Sequence, residues 1–276
     1  MSDLIFDLGM HFGEDTDYYL ARGFRVVAFE ADPELVQRNA NFFKKQIDNG
    51  ELVIISGAIA CSSLEKITLY KNIDRPFWNT TSKTWDVRNR RLGSKSMPIQ
   101  VPTVSLADAI VTYGTPYYMK IDIEGADLLA LEQLGTCSVR PKYLSIESEK
   151  VDLNALEREL NILCELGYRS FKAIQQANAN TLTIPHDTKY LGRSYQFQRG
   201  SSGLFGSDLP GLWKTKEQIL EEYKHIFRRY ARFGDESWLR RAQAPRLALS
   251  GIERLFNIPL PGWYDTHASL LLPEEH

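Results

Sequence analysis

Residues 119–127 read Met-Lys-Ile-Asp-Ile-Glu-Gly-Ala-Asp. The apolar run that enters this stretch, from Tyr117 to Asp122, is short and ends on an acid, and Gly125 permits a turn before a helical pattern starts at Ala126. A short apolar run closed by turn-forming residues predicts a buried strand, which here leads directly into a helix. This strand–turn–helix unit is the building block of parallel α/β sheets.

The same alternation extends in both directions along the chain. Apolar runs predict strands, and amphipathic stretches predict the helices between them. The predicted strands are 4–8, 25–30, 52–56, 117–122, 142–147 and 168–174, with further candidates at 65–70 and 99–104. The predicted helices are 14–22, 33–45, 126–134, 152–166 and 215–232. This order predicts an α/β fold with a mainly parallel sheet and helices on both of its faces.

Glycines and acids mark the carboxyl ends of five predicted strands. Each lies at or just beyond the last residue of its strand, and the five are Gly9, Glu30, Gly57, Asp122 and Glu147. Ligands of open parallel sheets bind outside this edge. The markers together predict one ligand site there.

The first of these turns has the pattern Asp7-x-Gly9-x-x-x-Gly13-x-x-Thr16. Glycines let the backbone approach a ligand closely, and the helix that follows offers unpaired N–H groups to an anion. The dinucleotide fingerprint requires glycines where this chain has His11 and Glu14, so the spacing does not fit a nicotinamide site. A tight turn without any ligand is the structural alternative.

Glu30 ends the second predicted strand, 21 residues after Gly9. An acid at this spacing accepts hydrogen bonds from the hydroxyls of a ribose, which NAD and S-adenosylmethionine share. A solvated charge at a strand end is the alternative.

Three acids crowd Lys120 within residues 120–127, which is costly unless a cation or hydrogen-bond donors lie among them. A sulfonium or a metal ion would be such a cation, and surface pairing of Lys120 with Glu124 or Asp127 is the alternative.

These strings together resemble the FkbM family of S-adenosylmethionine-dependent methyltransferases. The resemblance covers about residues 4–172, is most specific at 120–127, and includes 5–16, 28–30, 101–106 and 141–147. It implies a class I methyltransferase fold, Rossmann-like, with a seven-stranded, mostly parallel sheet whose last strand is antiparallel. It also implies S-adenosyl-L-methionine as cofactor and O-methylation of a hydroxyl on a sugar or natural-product-like small molecule.

The resemblance and the predicted position at the ligand edge of the sheet together assign roles to particular residues, and the candidate bases follow from that position. The expected cofactor contacts are Asp7, Gly9, Met10, His11, Gly13, Thr16, Glu30, Ala31, Gly57, Ala58 and Asp122. Asp122 and Glu124 are the candidate catalytic bases, with His11, Glu147 and His267 in reserve. Met10-His11 departs from the Ala-Asn that usually follows the first glycine in such families. No Cys/His set has metal-ligand spacing, so no metal site is predicted.

The chain beyond the resemblance is less informative. We predict a methyltransferase core over 1–175 and a C-terminal extension over 176–276 that serves as lid and cap of the acceptor site. The glycine-rich segment 201–211 is the candidate lid, and Trp263–His267 is the candidate cap. The basic stretch Arg88–Arg91 fits either an anionic acceptor or a solvated surface.

Composition excludes several classes of protein. Lysine plus arginine total 33 against 35 acids, a net charge of −2, so nucleic acid is not an expected partner. No apolar run of membrane-spanning length occurs, and the three separated cysteines and the absent signal sequence predict a cytoplasmic protein. Two functions remain as alternatives to a methyltransferase, a nicotinamide-dependent oxidoreductase and a non-catalytic adenosine-binding protein. The sequence leaves the acceptor and the oligomeric state open.

Overall fold

The computed structural model describes residues 3–60, 64–148, 152–176, 179, 182–184, 195–233 and 264–276. The strands within these ranges are β1 Leu4–Leu8, β2 Arg25–Glu30, β3 Leu52–Ser56, β4 Ala58–Ile59, β5 Lys66–Asn72, β6 Ser96–Val104, β7 Tyr118–Ile121, β8 Tyr143–Glu147, β9 Ser170–Gln175 and β10 Tyr264–Ser269. The helices are α1 Glu14–Ala21, α2 Pro33–Phe42, α3 Lys44–Asp48, α4 Lys83–Arg91, α5 Leu106–Tyr113, α6 Asp127–Thr136, α7 Leu153–Glu165 and α8 Lys216–Phe233. Among these helices, none combines the length and the apolar character that crossing a bilayer requires.

Seven strands form the main sheet in the order β3-β2-β1-β7-β8-β10-β9. Strands β3, β2, β1, β7 and β8 pair in parallel, whereas β10 pairs antiparallel with both β8 and β9. The predicted α/β fold with a seven-stranded sheet and an antiparallel last strand is therefore confirmed. Chain order reverses between β1 and β7, and a crevice opens at such a switch point at the carboxyl ends of the strands.

Strand β10 was not predicted. Its residues Asp265, Thr266 and His267 are polar, yet all three are buried. Thr266 bonds to the hydroxyls of Ser148 and Tyr223, so hydrogen bonds replace the apolar pattern by which a buried strand is recognised. Since β10 lies between β8 and β9, the boundary that we predicted at residue 175 does not coincide with the edge of the sheet.

Alternate residues of the central strands enter two separate cores. Leu4, Phe6 and Leu8 of β1 belong to the core that is covered by α5, α6, α7 and α8. Ile5 belongs to the opposite core, with Tyr18 of α1 and with the 197–213 segment. Because side chains alternate across a strand, burial on both faces requires a nearly continuous apolar run, which β1 has.

Residues 58–104 add a second, three-stranded sheet in the order β4-β6-β5. Strands predicted at 65–70 and 99–104 are observed slightly longer, as β5 and β6. Helix α4, which follows this hairpin's first strand, was not predicted because arginines and other polar residues dominate it. Trp85 of α4 packs over Gly125, so this unit reaches the turn after β7.

The glycine-rich segment 201–211 packs into the protein. Residues 201–206 are buried, and Phe205 stacks on Tyr118 of β7 with ring centroids 4.7 Å apart. Aromatic pairs of this kind bury a large apolar area. Most of the segment therefore packs in the core that contains Ile5 and Tyr18, and its first residues, Ser201 and Ser202, line the cavity described below.

Candidate active site

A cavity of about 690 Å³ lies at the carboxyl ends of the parallel strands. It is lined by all five strand-end residues singled out in the sequence, Gly9, Glu30, Gly57, Asp122 and Glu147. Met10, His11, Ala31, Ala58 and Glu124 line it as well. Glu30 and Asp122 thus line one shared cavity, as predicted from the sequence.

The turn after β1 lies so close to the turn after β7 that the space between them does not accommodate a Cβ atom. Gly9 has a φ of +92°, and a Cβ atom built on it would lie 1.9 Å from the backbone oxygen of Asp122. The N–H groups of Gly9 and Met10 both donate to the Phe29 oxygen at the end of β2. Glycine is therefore required at position 9, because no side chain fits between the two turns.

Three expected cofactor contacts do not line the cavity. Asp7 and Thr16 are fully buried behind its wall, where the Thr16 hydroxyl donates to Asp7 Oδ2 at 2.6 Å. Gly13 precedes α1 with a φ of +84°, and its Cα faces the Phe43 ring. These three residues belong to the first turn and its flanking elements, but none of them is among the residues that line the cavity.

Glu30 ties the first turn to the end of β2. Its Oε2 accepts the N–H of His11 at 2.8 Å, and its Oε1 accepts the N–H of Asp32 at 2.8 Å. Burial raises the pKa of this carboxyl, although the two N–H donors oppose the rise. A carboxylate has about four lone-pair sites, so each oxygen can accept a further bond from a hydroxyl in the cavity.

Lys120 forms a buried ion network at the centre of the cavity wall. Its Nζ lies 3.1 Å from Asp15 Oδ2 and 3.1 Å from Asp122 Oδ2. Burial by itself would lower the pKa of this ammonium, but Asp122, Asp15 and Asp7 raise it well above its usual value. The alternative of a surface pair with Glu124 or Asp127 is wrong, because Lys120 is 5% exposed and points to α1.

Asp127 is a structural residue of the turn after β7. Its two carboxylate oxygens accept the N–H groups of Ile123 and Gly125, and burial raises its pKa to about 6. The Thr80 hydroxyl donates to the backbone oxygen of Glu124, which has a φ of 48°. These contacts hold Glu124 at the cavity wall.

Sequence reasoning missed part of the cavity wall. Asp265 of β10 and Gln176 after β9 line it, and Gln176 Nε2 donates to Asp265 Oδ2 at 2.6 Å. Arg199 and Gly200 line it too, next to the two serines of the 201–211 segment. Asp265 belonged to the predicted cap, whereas no signal identified Gln176. Trp263 of that cap lies outside the described residues.

One further expectation concerns the basic stretch Arg88–Arg91. None of Arg88–Arg91 lines the cavity; Arg88 stacks on Trp85, and Arg90 bonds to Asp86. They therefore give no support to an anionic acceptor.

Carboxylate oxygens of Asp122, Glu124 and Glu147 all lie within 4.8 Å of one another, a separation at which acids can share a cation.

Asp7 gives the site a testable pH dependence. Burial raises its pKa to about 7, against an attraction to Lys120 that lowers it. Between about pH 4 and pH 7 the folded state thus holds a proton that the unfolded state has lost, so this group's contribution to stability falls as the pH rises. We expect Asp7→Asn to remove this pH dependence. The free energy of unfolding of the variant minus that of the wild type should therefore be larger at about pH 8 than at about pH 5. Urea denaturation of both proteins at both pH values measures the two free energies of unfolding. If the difference between variant and wild type is the same at both pH values, the raised pKa of Asp7 is contradicted.

Similarity to known proteins identifies the family of the chain. The family model described as "Methyltransferase FkbM domain" matches residues 7–170, which is more than half of the chain. No curated protein gives a significant match to the chain.

Several solved structures resemble the chain at low sequence identity. A methyltransferase FkbM from Methylobacillus flagellatus KT is 19% identical over 63% of this chain, with a TM-score of 0.40, and the match spans 41% of that protein's own length. A precorrin-6y C5,15-methyltransferase from Geobacter metallireducens GS-15 is 11% identical over 68% of this chain and 74% of its own, with a TM-score of 0.35. An S-adenosylmethionine-dependent methyltransferase from Geobacter sulfurreducens, in complex with S-adenosyl-L-homocysteine, is 12% identical over 97% of this chain and 83% of its own, with a TM-score of 0.35.

Proposed function

The chain belongs to the FkbM methyltransferase family, and from that premise we propose that it binds S-adenosyl-L-methionine and methylates a hydroxyl of a small molecule, a sugar or a natural-product-like compound. The observation that supports this best is the position of Glu30 and Asp122 in one cavity on either side of the Gly9 turn. S-adenosylmethionine is a nucleoside joined to an amino acid. Its site therefore needs one contact to the ribose and one charged contact near the amino-acid end.

We propose that the adenosine part lies at the β2–β3 side of the cavity. Glu30 has lone pairs left for ribose hydroxyls, and Ala31, Gly57 and Ala58 are beside it. Apolar side chains suited to an adenine ring line the same cavity, namely Phe29, Leu35, Ile59 and Leu69. The methionine part then extends along Gly9, Met10 and His11 toward Asp122. The His11 Nε2 atom is buried without a hydrogen-bond partner in the described structure, so a polar ligand group would satisfy it.

The residues of the chain then have to hold the acceptor and take up its proton. Bound S-adenosylmethionine would supply the activated methyl group. Asp122 Oδ2 is already paired with the Lys120 ammonium at 3.1 Å, so we assign Asp122 to the cofactor and not to the proton of the acceptor. A carboxylate oxygen of Glu124 lies within 4.8 Å of one of Asp122 at the same cavity wall, where Thr80 holds the Glu124 backbone, so we assign Glu124 as the general base for the acceptor hydroxyl.

Glu124→Gln tests this assignment. We expect turnover to fall by about 100-fold or more, because the amide keeps the shape of the side chain but takes up no proton. Affinity for S-adenosylhomocysteine should change by less than about three-fold, since a base for the acceptor makes no cofactor contact. Steady-state kinetics and calorimetry measure the two quantities. Glu132→Gln, the same change on the exposed side of α6, is the control, and normal turnover of the Glu124 variant would remove Glu124 from the mechanism.

The proposed function as a whole is tested by binding and transfer. Calorimetry with S-adenosylhomocysteine and with NAD should give binding of the first alone. Incubation with S-adenosylmethionine labelled in the methyl group, against a panel of hydroxylated sugars and phenols, should label an acceptor. Binding of NAD would favour an oxidoreductase, and binding of S-adenosylhomocysteine with no label transferred to any acceptor would favour the non-catalytic alternative.

A further inference from the structure

The segment 195–202 lies against the start of helix α1. The backbone N–H of Ser202 donates to Asp15 Oδ1 at 2.7 Å. Gly200 is packed so closely that a Cβ atom built on it would lie 3.4 Å from Glu14 Oε1. These contacts hold the segment beside the part of the cavity where the first turn leads into α1.

The acids at the start of α1 already have partners. The pairs are Asp15 Oδ2 with Lys120 Nζ at 3.1 Å, Glu14 Oε1 with His11 Nδ1 at 3.3 Å, and Asp17 Oδ2 with the Tyr195 hydroxyl at 2.8 Å. A negative group of a ligand can lie beside these acids only if other residues supply it with hydrogen-bond donors or positive charge.

Ser201 is a buried residue of this segment that has a donor to offer. It is 2% exposed and lines the cavity, and its Oγ atom has no hydrogen-bond partner in the described structure. Its backbone N–H donates to the Gln198 oxygen at 3.2 Å, so the turn itself fixes the residue in place. Buried hydroxyls are normally paired, and a ligand in the cavity would complete this one.

Arg199 brings positive charge to the same place. Among the described residues that line the cavity, Lys120 and Arg199 carry a permanent positive charge. The Lys120 ammonium is engaged by Asp15 and Asp122, at 3.1 Å from each, which leaves Arg199 as the cation of the described wall that a ligand can use. A guanidinium binds a carboxylate through two parallel N–H bonds, which makes such a pair strong and specific.

Resting on the proposed function, we propose that Ser201 and Arg199 bind the carboxylate of the methionine part of S-adenosylmethionine. The amino-acid end of this cofactor carries an ammonium and a carboxylate, and its sulfonium adds a second positive charge. The acids of the cavity wall suit the two positive groups, whereas the carboxylate needs donors. Both residues lie beyond the range 7–170 that matches the family model, so the C-terminal extension completes the cofactor site.

The test compares two ligands that differ in the carboxylate alone. S-adenosylhomocysteine and its decarboxylated analogue, which keeps the amine on a propyl chain, are titrated by calorimetry into the wild type, Ser201→Ala and Arg199→Gln. We expect the wild type to bind S-adenosylhomocysteine at least about 30-fold more tightly than the analogue, because the analogue makes neither contact. Each variant should lose about ten-fold in affinity for S-adenosylhomocysteine and less than about two-fold for the analogue.

Thermal unfolding separates a ligand contact from a structural role. Because the Ser201 hydroxyl has no partner in the described structure, Ser201→Ala should leave the unfolding temperature of the ligand-free protein unchanged or raise it. The rise in that temperature on adding S-adenosylhomocysteine should become smaller. Arg199 is exposed, so Arg199→Gln should fold as the wild type does. The matched controls are Ser207→Ala, an exposed serine of the 201–211 segment, and Arg228→Gln on the exposed side of α8, and both should bind the two ligands as the wild type does.

Three results would overturn the inference. They are an unchanged affinity of both variants for S-adenosylhomocysteine, an equal loss of affinity for the two ligands, and a wild type that does not prefer S-adenosylhomocysteine over its decarboxylated analogue. A wild type that binds neither ligand would contradict the proposed function, and the inference with it. Binding of S-adenosylhomocysteine that neither variant weakens would remove the inference alone and leave the proposed function in place.

Discussion

Replacing Gly9 by alanine is expected to weaken the binding of S-adenosylhomocysteine by more than about 100-fold, since the methyl group has no room and the backbone has the wrong sign of φ. The added Cβ would lie 1.9 Å from the Asp122 oxygen, so the ends of β1 and β7 would have to separate. Separation would pull Gly9 and Met10 from the Phe29 oxygen and widen the cavity between its two proposed cofactor contacts. Calorimetry measures the affinity, and a loss of less than about three-fold would contradict the proposed role of this turn.

A second glycine separates the clash from the backbone strain. Gly50 has a φ of +75°, similar to that of Gly9, but a Cβ built on it meets no atom within 4 Å. Gly50→Ala should therefore cost about 1–2 kcal/mol of stability through strain alone and leave the affinity for S-adenosylhomocysteine unchanged. If both variants lose the same stability and neither loses affinity, the close approach of the two turns has no functional importance.

Replacing Lys120 by methionine is expected to lower the free energy of unfolding by about 3–5 kcal/mol, because it leaves the buried Asp15 and the partly exposed Asp122 without their shared cation. Asp7 lies behind the same network and also loses the nearby Lys120 charge, which opposes the rise of its pKa. Chemical denaturation at neutral pH measures the loss. Adding Asp15→Asn to the variant should restore part of the stability, since the asparagine oxygen can still accept the Ser202 N–H while one negative charge is removed.

The matched control is an ion pair of the same residue types on the surface. Lys44 pairs with Asp48 one turn along α3 at 3.0 Å, with the lysine side chain 74% exposed. Lys44→Met should cost less than about 1 kcal/mol, because exposed pairs are screened by water and salt. Equal losses for Lys44 and Lys120 would mean that burial of the Lys120 network contributes nothing.

The sequence predicted the parts of the molecule that depend on short stretches of chain. Apolar runs identified the parallel strands, and the residue after each run identified the ligand edge, because parallel strands all end on the same side of a sheet. Glu30, Asp122 and Glu147 are placed at one cavity for this reason. Strand β1 was the clearest case, since burial on both faces gave it an almost unbroken apolar sequence.

Features that depend on distant parts of the chain were not predicted. Lys120 pairs with Asp15, a residue of α1 that no local spacing relates to it, so the partners named for it in the sequence were only the nearby acids Glu124 and Asp127, as an alternative. Gln176 and Asp265 meet because β9 and β10 are neighbours in the sheet, although a long stretch of chain separates them. Strand β10 itself is polar, and its burial depends on hydroxyl partners such as Tyr223 from α8.

The position of β10 has a consequence for how the protein is made. A ribosome synthesises β8 and β9 long before β10, yet the two earlier strands are joined in the sheet only through the later one. A nascent chain that has emerged up to β9 therefore exposes an edge of β8 with unpaired backbone groups, which is a template for association with other chains. Completion of the sheet has to wait until Ser269 has left the exit tunnel, and until then the edge of β8 is open to association with other chains.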